Sequence, residues 1–197
     1  LKQKFPCDRQ LDITDCGPAC LKMIAQFYGK YYSLQYMRDK CGITKEGVSF
    51  YDLSHAAESI GLRSLSLKCS IESLLEKVPL PIIIHWDNSH FIVVYKVMSK
   101  ALCVSDPAKG RIKYSKEDFV QKWYKAEDQL GTLMVVEPQG DFLQRNANEK
   151  NERWKRLDAF LEYFRAYRGS FINLFIVMLL ATILQAFLPV ISKAVID

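Results

Sequence analysis

Cys16 heads the run CGPACLKMIAQFY, in which Cys20, Met23, Ile24 and Phe27 recur on one helical face, with Asp15 available as N-cap and Gly29 as the stop after Tyr28. The pattern predicts a helix from about Cys16 to Tyr28. A sulfur at the head of that helix sits where unpaired backbone N–H groups and the positive end of the helix dipole favour an anion, which lowers the thiol pKa and makes a nucleophile. The competing assignment is a small buried apolar residue, and it is kept for Cys20, one turn further on and on the apolar face.

A thiolate alone is a poor hydrolase, because the leaving amine must be protonated and the tetrahedral oxyanion must be held. His90 opens HFIVVYKV and Asp106 closes ALCVSD, two β-rich runs joined by a tight connection around Met98-Ser99-Lys100, so a hairpin is expected. Pairing Val97 with Ala101 makes opposed positions sum to 198. Asp106 then faces Ile92 and lies diagonally from His90 on one face of the sheet; a slip of one residue would put the two on opposite faces. In that register the carboxylate can fix the tautomer and orientation of the imidazole. Taken singly, His90 is equally a strand-end histidine and Asp106 a turn former before Pro107. His55, within YDLSHAAESI, and His85, beside Trp86, have no carboxylate across a hairpin and are assigned to structure. Gln10, six residues before Cys16, can bring its amide N–H to the same point as the Cys16 backbone N–H, giving two donors for an oxyanion. An exposed, solvated glutamine is the plain alternative.

These residues must be positioned by the elements around them. Leu34–Cys41 and Tyr51–Ile60 are expected as short helices ended by Gly42 and Gly61, with Ile71–Lys77 as a fourth helix. PIIIHW (81–86), HFIVVYKV (90–97), ALCVSD (101–106) and GTLMVVE (131–137) are expected as strands. Helices first and strands later predict an α+β domain with an antiparallel sheet. The 197 residues, 49% hydrophobic and 25% charged, have the make-up of a folded chain, which excludes a mainly disordered or collagen-like protein. The net charge of +5 comes from basic residues spread among acidic ones, so no nucleic-acid partner is expected. Six cysteines would allow three bridges, but no signal-peptide core opens the chain and the thiols are expected to be reduced in the cytosol. Cys16-x3-Cys20 lacks a second close pair, and His85-x4-His90 is a poor substitute, so no metal is expected.

Composition shifts near residue 140. Residues 141–168 carry seven basic and five acidic side chains, after which Gly169 to Ser192 runs 24 positions without a charge. As a helix that stretch is about 36 Å long, enough for a hydrocarbon layer of about 30 Å. Trp154, Leu157, Leu161, Phe164 and Tyr167 recur at helical spacing before it, as in an amphipathic helix lying on a bilayer surface. The arginines and lysine at 153, 155, 156, 165 and 168 place the N-terminal side in the cytoplasm. The expected organisation is a cytosolic domain over 1–140, a linker and interfacial helix over 141–168 and a transmembrane helix over 169–197, the front of a longer protein.

Gln10, DCGPACLKMIAQFYG (Asp15 to Gly29), SHFIVVYKV (Ser89 to Val97) and DPAKGRIKYSKEDFVQKW (Asp106 to Trp123) together resemble the double-glycine leader peptidase domain, family thirty-nine of the cysteine peptidases. FLPVISKAVID (Phe187 to Asp197) is similar to the end of the first transmembrane helix of ABC exporters that mature and export bacteriocins. The resemblance implies a papain-like fold, with Cys16 as nucleophile, His90 as general base and acid, Asp106 as its orienter and Gln10 as oxyanion donor. It implies as partner a precursor peptide whose leader ends in Gly-Gly or Gly-Ala, a homodimer formed through the transporter, and a place in the bacterial cytoplasmic membrane. No cofactor is implied for this chain. ATP and magnesium would belong to a nucleotide-binding domain, and no G-x4-G-K-[ST] occurs in these residues. A module that binds cargo without cutting it, and acyl transfer to an acceptor other than water, use the same residues and stay open at this point.

Overall fold

Four of the described helices begin where a short polar side chain can take up an amide that the helix leaves unpaired. Ser33 accepts from Tyr36 N at the head of α2 (Leu34–Cys41), Ser49 and Asp52 form a reciprocal capping box at the head of α3 (Phe50–Ser59), and Ser70 and Ser115 accept from Ser73 N and Asp118 N at the heads of α4 (Ile71–Lys77) and α5 (Lys116–Trp123). Gly42 closes α2 in the left-handed region at φ 60°, a conformation cheap only without a Cβ. The computed structural model describes residues 4–45, 47–87, 89–124, 129–144 and 167–196.

Helix α1 (Cys16–Phe27) follows a short 3-10 turn (Ile13–Asp15) and stops at Tyr28, as its periodicity predicts. α3 starts one residue before the expected Tyr51, because Ser49 rather than Phe50 supplies the cap. Six strands form one antiparallel sheet in the order β1-β6-β2-β3-β4-β5: β1 (Leu62–Cys69), β2 (Ile82–Trp86), β3 (His90–Met98), β4 (Ala101–Asp106), β5 (Gly110–Ser115) and β6 (Gly131–Pro138). The α+β architecture is the expected one. β1, β5 and α5 were not among the expected elements. β6 lies between β1 and β2, so β1 finds its partner some seventy residues away, with Leu62 opposite Pro138 and Cys69 opposite Gly131.

Both faces of the sheet are covered, and strand alternation sorts side chains between two cores. Ile83, Phe91, Val93, Met134 and Val136 meet α1, α2 and α3 on one face. Ile82, Ile84, Ile92, Val94 and Val104 meet Leu74 of α4 and Phe119 and Trp123 of α5 on the other. This explains why β2 reads as an unbroken apolar run, since a central strand covered on both sides has no solvent face to alternate with.

The β3–β4 hairpin departs from the expected register. Met98, not Val97, pairs with Ala101, so opposed positions sum to 199 beside the turn. A bulge at Tyr95 then restores the sum to 198 at Val94–Val104 and Val93–Ser105. The bulged residue is held from outside the hairpin, its ring stacked on Phe5 at 4.7 Å and 4°.

A separate unit contains α6 (Arg168–Ile196), 29 residues or about 44 Å long. Its segment Arg168–Gln185 is long and apolar enough to cross a membrane, with a mean hydropathy of 1.6 and none of it buried. The expected interfacial helix before it lies outside the described residues, apart from its end at Tyr167.

Candidate active site

The 3-10 turn delivers the chain to Cys16 already in helical conformation, with Asp15 at φ −85° and ψ −4°. Asp15 therefore does not cap α1 as expected. Its side chain points back along the turn, where Oδ2 accepts from Asp12 N at 2.9 Å and Leu11 N at 3.2 Å, while Oδ1 takes Arg38 Nε at 2.6 Å. Gly17 allows the first turn of α1 to lie against α3 and the loop before it, because a methyl at Gly17 would overlap Val48 Cγ2 and crowd Leu53. Pro18 fits a first turn whose amides have no intrahelical acceptor.

Cys16 is only 6% exposed, at the head of α1 on the edge of the first core. His90 begins β3 and Asp106 ends β4, on the strand parity of Ile92 and Val104, which pack in the second core. The site thus forms where the helical layer reaches the end of the sheet farthest from the hairpin turn. His90 Nε2 and Asp106 Oδ1 are 2.8 Å apart. The same carboxylate oxygen accepts from Ala108 N at 2.8 Å and Lys109 N at 3.3 Å in the turn that leads into Gly110 at φ +96°. With Nε2 held in this way, Nδ1 is the ring nitrogen left to serve the Cys16 side chain, which lies close enough to raise the His90 pKa.

The electrostatics follow from these contacts. Burial alone would lower the His90 pKa, but the hydrogen bonds and charges of Asp106 and Cys16 outweigh it and raise the imidazole to about 9. Burial alone would raise Asp106, yet the His90 bond and the two backbone amides hold its carboxyl below the usual range. Cys20 is sealed in the core, and burial, followed by the negative charge of Cys16 and Asp106, pushes its thiol well above the ordinary value. An imidazole that keeps its proton at neutral pH beside a sulfur, fixed by a buried carboxylate, can pass that proton to a leaving amine.

Gln10 is brought to the site by the segment that crosses β4 and β5. Arg111 Nε donates to Phe5 O at 2.8 Å, Ser105 Oγ donates to Pro6 O at 3.0 Å, and Gln10 N donates to Pro107 O at 3.0 Å, one residue from Asp106. The Gln10 amide oxygen is buried and takes no hydrogen bond among the described residues. His85 packs against the rings of Phe50 and Phe91, and His55 against Tyr51 at 4.5 Å. Arg38 and Gly17 were not among the expected site residues; the sequence marks Arg38 only as a basic residue near the end of α2. No cluster of three or more His, Cys, Asp or Glu suited to a metal ion occurs among the described residues.

Residues 4–127 match the Peptidase C39 family. The lactococcin-G-processing and transport ATP-binding protein LagD of Lactococcus lactis subsp. lactis is 30% identical over 171 residues, which are 84% of this chain and 23% of that protein. The chain therefore spans about a quarter of that curated relative's length. Among solved structures, a double glycine motif protease from an AMS/PCAT transporter, in complex with the leader peptide, superposes with a TM-score of 0.64 at 29% identity, covering 69% of this chain and 93% of that one. The peptidase domain of Streptococcus ComA, a bi-functional ABC transporter involved in a quorum sensing pathway, gives 0.62 at 28% identity, covering 69% and 100%. A match over more than half of the sequence, joined to the same fold in two solved proteases of this kind, makes the chain a member of the Peptidase C39 family and a cysteine peptidase.

Proposed function

We propose that the chain removes the leader from precursor peptides by cutting after a Gly-Gly or Gly-Ala pair, as the peptidase part of an ABC exporter whose cargo those peptides are. The observation that carries the proposal is the grouping of Cys16, His90 and Asp106, with His90 hydrogen-bonded to Asp106 and its pKa raised by both partners. Likeness to a double glycine motif protease solved with its leader peptide supports the substrate class.

In the proposed reaction Cys16 Sγ attacks the carbonyl carbon of the last leader residue, and the thiol proton resides on His90. The oxyanion is held by the Cys16 backbone N–H and the Gln10 side-chain amide. His90 then gives its proton to the departing amine as the C–N bond breaks, leaving a thioester. Water adds to the thioester while His90 takes up one of its protons, and the second collapse releases the leader carboxylate and restores the thiol. Asp106 keeps Nε2 occupied so that Nδ1 faces the sulfur throughout. α6 supplies the first bilayer crossing of the exporter, with the peptidase on the cytoplasmic side, and the exporter works as a homodimer. ATP and magnesium act in a nucleotide-binding domain outside these residues.

Incubation of the 197-residue chain in detergent with a synthetic leader peptide containing Gly-Gly, with mass spectrometry to locate the cut, tests the proposal. Cleavage after Gly-Gly that is lost in Cys16→Ala is expected. Binding of the intact peptide without cleavage would instead make the chain a cargo-binding module.

A further inference from the structure

The turn joining Gln10 to Cys16 is closed by a buried ion pair that the reaction itself does not consume. Asp15 is fully buried, and a carboxylate sealed from water is costly unless it is both hydrogen-bonded and paired. Its partners are the amides of Leu11 and Asp12, at 3.2 and 2.9 Å, and the guanidinium of Arg38, at 2.6 Å. Leu11 directly follows Gln10, and Asp15 directly precedes Cys16. One carboxylate therefore ties the residue after the proposed amide donor to the residue before the nucleophile. On its other side, Gln10 is pinned through its own N–H to Pro107 O at 3.0 Å. Gln10 thus sits between two clamps, one leading to the Asp106 turn and one to the first residue of α1.

An oxyanion hole acts only when its donors are held within hydrogen-bond reach of the position where charge develops, and a misplacement of about 1 Å can cost about 10²-fold. We infer that Asp15 and Arg38 form a positioning pair for the peptidase reaction, setting the spacing between the Gln10 amide and the Cys16 N–H. The inference rests on the role proposed for Gln10. Arg38 enters from α2, a separate element, so the pair also anchors the turn to the helical layer rather than only to itself. Its guanidinium is 29% exposed while Asp15 is sealed, which makes Arg38 the better side chain to alter without opening the core.

The test is a double-mutant cycle on the full chain in detergent, with the synthetic Gly-Gly leader peptide as substrate. Arg38→Met is expected to lower kcat by about 10- to 100-fold, with KM changed less than about twofold, and Arg38→Lys is expected to recover part of that loss. In a Gln10→Ala background, Arg38→Met should cost less than about threefold, because the donor it positions is already gone. Alkylation of Cys16 by iodoacetamide should keep its wild-type rate in Arg38→Met, since the thiol and His90 are untouched. A full additional loss in the Gln10→Ala background, a matching fall in alkylation, or a rise in KM at constant kcat would each overturn the inference. A wild-type chain that leaves the leader intact overturns the peptidase assignment and this inference with it, whereas a cleaving wild type with additive losses overturns the inference alone.

Discussion

Replacing Asp106 by Asn keeps the size of the side chain and removes its charge, and the structure sets what should follow. Asp106 is 1% exposed, and its Oδ1 serves the His90 ring and two backbone amides. An Asn can place its carbonyl oxygen at the Oδ1 position and keep all three of these contacts, so the geometry survives while the negative charge that favours the protonated ring is lost. The net rise of His90 from 6.5 to about 9 corresponds to roughly 3 kcal/mol in favour of the charged ring, achieved against the opposing pull of burial. Without the carboxylate, burial is left opposed by Cys16 alone, and the His90 pKa should fall well below its wild-type value of about 9. With the ring less often protonated to serve the leaving amine, the expected loss in kcat/KM is on the order of 10²–10⁴. Because the folded pKa lies above the unfolded one, the pair's contribution to stability is full below about pH 6.5 and is lost as the pH rises through about 9. The depressed Asp106 carboxyl contributes above its ordinary pKa near 3.8, and that contribution is lost as the pH falls through its folded value. Denaturant midpoints of Asp106→Asn should therefore vary less than wild type between pH 6.5 and 9. NMR titration of the His90 ring reads the pKa directly. A ring that still titrates near 9 in Asp106→Asn would refute the assignment of the shift to Asp106.

Cys16→Ala should abolish cleavage, whereas Cys20→Ser should retain it and lower stability by about 1–3 kcal/mol, since a hydroxyl would sit in an apolar core; comparable losses of activity in both would show that the wrong sulfur had been assigned. Deleting Tyr95 removes the bulged residue while Val94 keeps Val104 and Lys96 keeps Cys103 as partners, so His90 and Asp106 stay on one face. A chain with wild-type circular dichroism that still cleaves is expected, and loss of cleavage with an intact fold would show that the bulge sets the site beyond the hairpin register. Gly17→Ala should destabilise by about 1–3 kcal/mol through overlap with Val48, with the melting temperature partly recovered in Gly17→Ala/Val48→Ala; equal melting of wild type and Gly17→Ala would mean that α1 has room to shift.

Much of the fold was written in short stretches of sequence. The apolar period and the glycine stop defined α1, and the serines that head α2, α3 and α4 are caps that act within three residues. Cys16, His90 and Asp106 were legible because each sits at an element end, where backbone amides or a turn give its side chain a task. β5 and α5 had signals of the same kind, Gly110 and the Ser115-x2-Asp118 cap, whose significance depended on the strands that flank them. β1 alternates Leu65, Leu67 and Cys69 with Ser64, Ser66 and Lys68, but its place in the sheet depends on β6, far along the chain.

The sequence by itself therefore determined most of the element types, the α+β class and the candidate reactive groups, because those follow from interactions among residues a few positions apart. Tertiary structure decided how the groups meet. The expected alignment of His90 with Asp106 is present, but it is reached through a bulge whose Tyr95 stacks on Phe5 from the N-terminal segment. Asp15, expected as a cap, became half of an ion pair because Arg38 of α2 packs beside it, 23 residues away in the chain. Hairpin register and buried charge are settled by contacts between distant segments, and only the closed fold supplies them.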